Sequence, residues 1–223
     1  MTTFKKSTIR RQKIAVKTAK RRTTSSTDWL RRHLNDPYVI MAKDNAYRSR
    51  AAFKLLQIDQ KFKIFSGAKV VVDIGCAPGG WLQVAREKTR NAKVIGLDLQ
   101  AVDPIPDVDT FQGDIYDDNL ISQILALIPH KIDIVLSDMA CSATGNKQLD
   151  HLRNISLVEA AMDFAKNNLK PNGVFVAKVL RGGEEVQLMK DLRLFFKTVK
   201  QFKPDASYSD SSEIYFVCLG YKD

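Results

Sequence analysis

The sequence is short of the residues that would make it a secreted, metal-bound or membrane protein. Its 223 residues hold three cysteines, Cys76, Cys141 and Cys218. They are odd in number and none is spaced C-x-x-C, so they read as reduced thiols of a cytosolic chain, not as a disulfide framework or a zinc site. There are three histidines, no His/Cys cluster, and hence no metal is expected. No apolar run approaches 18 residues, which excludes a transmembrane helix. No G-x-G-x-x-G follows a strand, so the dinucleotide fingerprint is missing as well. Acids are nearly absent from the first 32 residues, where 11 Lys/Arg face Asp28 alone. The rest of the chain balances at 24 basic and 24 acidic residues, so the whole net charge of +10 sits at the N-terminus.

That imbalance suggests a boundary. Residues 1–27 form a basic, Ser/Thr-rich arm suited to a polyanion whose phosphates it neutralises with release of counterions. A mitochondrial transit peptide and a plain solubilising tail are the two other readings of such an arm. Residues 28–223 have the 44% hydrophobic content of the full sequence at their disposal, enough for one core and one domain.

The domain is organised around Val70-Val71-Val72-Asp73-Ile74-Gly75-Cys76-Ala77-Pro78-Gly79-Gly80-Trp81. β-formers, a glycine-rich turn and a helix start predict the first strand, loop and helix of a nucleotide-binding α/β sheet. An acid at the strand end would repel a pyrophosphate and suits a cationic or hydroxyl-bearing ligand. Further apolar strands are predicted at Ala92–Asp98, up to Phe111-Gln112-Gly113-Asp114, at Lys131–Asp138, Val174–Val179, Thr198–Phe202 and Ser212–Leu219. Helices are predicted near Trp29–Leu34, from Tyr47 to about Phe62, and over Trp81–Thr89, Asp117–Leu127, His151–Leu169 and Glu184–Phe196. This alternation makes a parallel sheet closed by a hairpin. Asp98 stands where a carboxylate can accept both hydroxyls of a ribose. Lys178 lies in an apolar strand, where a lysine must pair, snorkel or do chemistry. His151 reads as a surface residue at a helix start.

Asp73-Ile-Gly-Cys-Ala-Pro-Gly-Gly-Trp81 closely resembles the S-adenosylmethionine (SAM) loop of the FtsJ/RlmE family of RNA 2′-O-ribose methyltransferases. Four more stretches follow the family's order: Arg48-Ser-Arg-Ala-Ala-Phe-Lys54, Gln112-Gly-Asp114, Ser137-Asp-Met-Ala140, and Lys178-Val179 with the later Ser212-Glu-Ile-Tyr215. The resemblance implies a Rossmann-like class I methyltransferase fold: a mostly parallel seven-stranded sheet with helices on both faces and a final antiparallel strand. It implies a catalytic tetrad of Lys54, Asp138, Lys178 and Glu213. It also implies SAM contacts at Gly79, Trp81, Asp98, Asp114 and Asp138, with Asp73 and Gly75 adjacent. Asp114 would take the adenine amino group.

In relatives that methylate amines the fourth strand ends in a D/N-P-P-aromatic motif; its absence argues against a base amine as target. The implied substrate is a uridine of large-subunit ribosomal RNA within the assembled subunit, methylated in the cytoplasm by a monomer. A tRNA 2′-O-methyltransferase and a non-catalytic RNA-binding assembly factor are the alternatives. The segment Ala206–Ser212 lacks the arginines that some relatives carry there.

Overall fold

The computed structural model describes residues 14, 15, 18, 23–141 and 144–222. The predicted arm therefore lies almost wholly outside the described residues, as does Ser142 of the loop after the fourth strand. Seven strands form one sheet in the order β3-β2-β1-β4-β5-β7-β6. These are β1 (Val70–Ile74), β2 (Lys93–Asp98), β3 (Val108–Gln112), β4 (Ile132–Ser137), β5 (Leu169–Leu180), β6 (Phe196–Phe202) and β7 (Glu213–Tyr221). β3, β2, β1, β4 and β5 run parallel, and β7 enters antiparallel between β5 and β6. From β1 the chain crosses to β2 on one side and later returns to β4 on the other. The gap between β1 and β4 at their C-terminal ends is therefore the topological switch point, where open α/β sheets hold ligands.

Strand residues alternate between two cores. Val70, Val72 and Ile74 face one together with α6 (Lys147–Asn168) and α7 (Glu185–Phe195); Val71 faces the other with α3 (Ala51–Phe62) and α4 (Gly80–Lys88). Burial on both faces is why the parallel strands read as continuous Val/Ile runs. Each fully buried aliphatic side chain contributes roughly 1.5–3 kcal/mol relative to exposure. No helix among the described residues is long and apolar enough to cross a membrane.

Three features differ from the sequence-based expectation. First, Asn35-Asp36-Pro37 breaks α1 (Thr24–Leu34) but at once starts another helix, α2 (Pro37–Asp44). Asp36 Oδ1 accepts from Tyr38 N at 2.8 Å and Pro37 takes the first helical position, where its missing N–H is no loss. The second difference is in α1, which starts five residues earlier than expected, capped by Thr23. Third, α6 begins at Lys147, capped by Asn146, whose Oδ1 accepts from Gln148 N and Leu149 N. His151 thus falls in the second turn, its side chain 12% exposed and paired with Glu184, while Leu152 beside it is half exposed.

Candidate active site

A cavity of about 510 Å³ opens at the switch point, within the range of about 300–1,000 Å³ for small-molecule sites. Its wall comes from the C-terminal ends of four parallel strands: Gly75 and Ala77 after β1, Asp98 and Leu99 at β2, Gly113 and Asp114 after β3, Asp138 to Cys141 after β4. Three carboxylates thus ring one cavity, which favours a ligand with positive charge and hydroxyl donors and disfavours a phosphate.

The loop from Gly75 to Gly80 is fixed by its own backbone chemistry. Gly75 N donates to Leu97 O at 2.8 Å, and Ala77 N donates to Asp98 Oδ2 at 2.9 Å. Asp98 Oδ1 accepts from Gln100 N at 2.8 Å. Each Asp98 oxygen keeps a lone pair for a ligand hydroxyl. Gly75 sits at φ +78°, and a Cβ there would lie 2.3 Å from Met139 Cγ, so the loop passes Met139 only because that position has no side chain. Gly79, at φ +104°, caps α4 without a side chain. The first N–H groups of that helix are thereby left for an anionic ligand group.

Arg48 braces this loop from outside the cavity. Its guanidinium donates to the carbonyls of Pro78 (3.1 Å), Asp103 (2.7 Å) and Pro104 (2.9 Å). Arg48→Ala is expected to weaken SAM binding by about tenfold, since charge-assisted bonds of this kind are each worth roughly 1.5–3 kcal/mol. Isothermal calorimetry with SAM reads that loss directly.

On the far side of Asp138 lies a second constellation. β5 and β7 pair so that Lys178 stands opposite Tyr215 and Leu180 opposite Glu213. Two-residue periodicity then puts Glu213 and Tyr215 on one sheet face with Lys178. Lys178 Nζ donates to Asp138 O at 2.5 Å and lies 3.2 Å from Asp138 Oδ1. Tyr215 Oη donates to the same Oδ1 at 2.7 Å. Lys54, on α3, reaches across and donates to Glu213 Oε2 at 2.8 Å; its Nζ is 5.7 Å from the Tyr215 ring centroid. The two Lys–carboxylate pairs are therefore joined through Tyr215.

Electrostatics separate the carboxylates. Burial pushes the Asp138 carboxyl up, but Lys178, Lys54 and the Tyr215 hydrogen bond outweigh it and hold Asp138 below the usual range. Asp73 is wholly buried, neither of its oxygens has a hydrogen-bond partner among the described residues, and burial followed by Asp138 and Asp98 raises it well above the usual range. Burial, then Asp138 and Glu213, also raise the Tyr215 phenol, which keeps its proton as a donor.

The two aspartates act on stability with opposite sign. Asp138, depressed in the folded state, stabilises the fold above the ordinary carboxylate range and loses that contribution as pH falls through its folded value. Asp73, raised, has its contribution complete below the ordinary range and loses it as pH climbs towards its folded value. Asp73→Asn is therefore expected to raise the urea midpoint of the SAM-free protein, with a gain that widens from pH 4 upward; an unchanged gain across that window would contradict the assignment.

The sequence-predicted residues fall into two groups. Gly75, Asp98, Asp114 and Asp138 line the cavity, and Lys54, Asp138, Lys178 and Glu213 meet beside it. Asp73, Gly79 and Trp81 are not among the cavity's lining residues. Asp73 is buried beneath the loop, and Trp81 is buried with Nε1 donating to Ala51 O at 2.8 Å and its ring 5.7 Å from Tyr215. Sequence reasoning gave no role to Tyr215, although it quoted it within Ser212–Tyr215. The usable signal was its place two residues after Glu213 on a strand, and hence on the same face.

This sheet order, with an acid-lined crevice at the β1/β4 switch point, defines a Rossmann-like class I methyltransferase that uses SAM. Residues 47–221 match the FtsJ-like methyltransferase family. The chain belongs to that family. It is 51% identical over 207 residues to a protein of Novosphingobium aromaticivorans named ribosomal RNA large subunit methyltransferase E, covering 93% of each chain. It is 47% identical to the protein of that name in Rickettsia akari, over 94% of this chain and 95% of that one. Among solved structures, a Plasmodium falciparum protein assigned as a ribosomal RNA methyltransferase superposes with a TM-score of 0.72 at 36% identity, covering 78% of this chain and 98% of that one. MycE methyltransferase of mycinamycin biosynthesis, 19% identical, gives a TM-score of 0.50 over 78% of this chain and 48% of its own, a likeness of fold.

Proposed function

We propose that this protein transfers a methyl group from SAM to the 2′-hydroxyl of a uridine in large-subunit ribosomal RNA, acting on the assembled subunit in the cytoplasm as a monomer. The observation that carries the reading is the convergence of Lys178–Asp138 and Lys54–Glu213 beside the acid-lined cavity. The shared name of the Novosphingobium and Rickettsia relatives supports the choice of RNA.

Bound SAM supplies an electrophilic methyl on a sulfonium. Asp98 would hold its ribose hydroxyls, Asp114 its adenine amino group, and the N–H groups of α4 from Gly80 to Trp81, with Gly79 as the cap, its carboxylate; Asp73 and Gly75 shape the loop. Asp138 faces the cationic end. Lys178 acts on the acceptor. Its Nζ is aimed by the carbonyl and Oδ1 of Asp138, which leaves its remaining valence directed at the 2′-hydroxyl. Lys178 is the residue placed to receive that hydroxyl's proton, in its neutral form, as the C–O bond would form and the C–S bond break. Lys54, oriented by Glu213, holds the target ribose or its phosphate. Alignment of oxygen, methyl and sulfur supplies much of the rate. Residues 1–27 contribute RNA affinity as a basic arm ahead of a single catalytic domain over 28–223.

The substrate reading is tested by offering large subunits, deproteinised large-subunit RNA and tRNA, all from a strain lacking this protein, with tritiated SAM. Fast labelling of subunits, slow labelling of free RNA and none of tRNA is the expected order. Preferential labelling of tRNA would replace the ribosomal reading with the tRNA one.

A further inference from the structure

The connection between β6 and β7, residues 203–212, is ten residues long where a hairpin needs two to five. It has no regular structure, yet Pro204, Ala206 and Ser207 are buried. One face of α3 holds it at Ala206. Arg50, Lys54 and Gln57 are spaced i, i+4, i+7 and so project from the same side of that helix. Gln57 Oε1 accepts from Ala206 N at 3.0 Å, and the Arg50 guanidinium donates to Ala206 O, so both backbone groups of Ala206 are taken. Lys54, between them, takes Glu213.

Arg50 is itself held. Its Nη1 lies 3.0 Å from Oδ2 of the nearly inaccessible Asp36, the cap of α2, and its guanidinium carbon is 3.7 Å from the Tyr208 ring centroid. Arg32 of α1 lies 4.1 Å from the same ring and pairs with Asp210. The segment that carries no arginine of its own is thus gripped by two arginines from elsewhere in the chain. Between Ala206 and Tyr208, Ser207 Oγ donates to Glu213 Oε1 at 2.6 Å. Glu213 therefore has one oxygen on Lys54 and the other on Ser207.

We propose that Ser207 is a positioning residue for the methyl transfer, and that the Arg50–Tyr208 clasp exists to hold it there. The inference rests on the reading of Lys54–Glu213 as part of the catalytic machinery. Ser207 fixes the carboxylate plane of Glu213, and Glu213 fixes the ammonium of Lys54 against the acceptor. Without the hydroxyl, Glu213 rotates, and Lys54 follows it. SAM binding, on the other side of Asp138, is not involved.

The test compares full-length Ser207→Ala, Ser207→Thr, Tyr208→Ala, the Ser207→Ala/Tyr208→Ala pair and Glu213→Gln, using large subunits and tritiated SAM. Ser207→Ala is expected to lower kcat about tenfold, the scale of one hydrogen bond to a charged group, with KM for SAM within about twofold. Ser207→Thr, which keeps the hydroxyl, restores kcat. The double variant is no slower than the slower single one, because both act through Glu213. A wild-type kcat in Ser207→Ala beside an inactive Glu213→Gln would overturn the positioning role and leave the tetrad standing. A fully active Glu213→Gln would overturn both. A Ser207→Ala loss confined to melting temperature or to KM for SAM, or one that Ser207→Thr fails to rescue, would mark the residue as structural only.

Discussion

Lys178→Ala is expected to lower kcat by about 10³-fold or more while leaving SAM affinity within a few-fold of wild type. The magnitude follows from loss of a positioned acid–base group, worth about 10²–10⁴. The side chain is nearly buried, and its nitrogen is aimed by two oxygens of one residue, Asp138. No other lysine replaces it, since Lys54 is committed to Glu213. SAM binding survives because Lys178 Nζ meets the cavity wall at Asp138, whereas Gly75, Asp98 and Asp114 are placed by β1, β2 and β3. Lys178→Arg is expected to be as inactive as the alanine variant, because a guanidinium keeps its proton at any working pH. Single-turnover methyl transfer at saturating SAM, with binding measured separately, checks both statements.

Asp138→Ala carries the second large effect, and it strikes both halves of the site. Its Oδ1 accepts from Tyr215 and neighbours Lys178, and the same residue lines the cavity. The expected result is a kcat loss of about 10³-fold together with weaker SAM binding, unlike the clean kcat loss at Lys178. Combined with Lys178→Ala, the loss in kcat is expected to be far from additive, because the two residues act as a unit. Asp138→Asn keeps the shape and the acceptor for Tyr215 but not the charge. It is expected to recover thermal stability ahead of activity and to flatten the acid limb of the stability profile, where the wild-type carboxyl loses its stabilising contribution.

What was legible beforehand was whatever a local pattern dictates. The Val70–Trp81 stretch specified strand, turn and helix because the β-formers, the glycines and the helix formers each demand one backbone conformation. The tetrad positions could be assigned one by one through resemblance, and the Lys178–Asp138 and Lys54–Glu213 contacts agree with their proposed grouping. The contacts themselves were not legible. That Tyr215 joins the two pairs follows from β7 lying antiparallel to β5 with Lys178 opposite Tyr215, a register that no sequence window contains. Arg48 and Arg50 belong to the Arg48–Lys54 stretch that carries the resemblance, which says nothing of their partners. In the fold, one is spent on three carbonyls and the other on Asp36, Ala206 and Tyr208. A proline ends one helix and can begin the next, and the short α2 at Pro37–Asp44 has no pattern of its own long enough to show which. Leu152 fits the helical period of α6, yet half of it faces out.

The most direct test of the central claim is the chemical position of the transferred methyl. Large subunits lacking the modification would be labelled with tritiated SAM by the wild-type protein and by Lys178→Ala, and the RNA digested with alkali. A methylated 2′-oxygen cannot attack the neighbouring phosphate, so the account predicts label in alkali-stable dinucleotides with wild type and almost none with Lys178→Ala. Label released as mononucleotides would place the methyl on a base and contradict the account, as would undiminished labelling by Lys178→Ala.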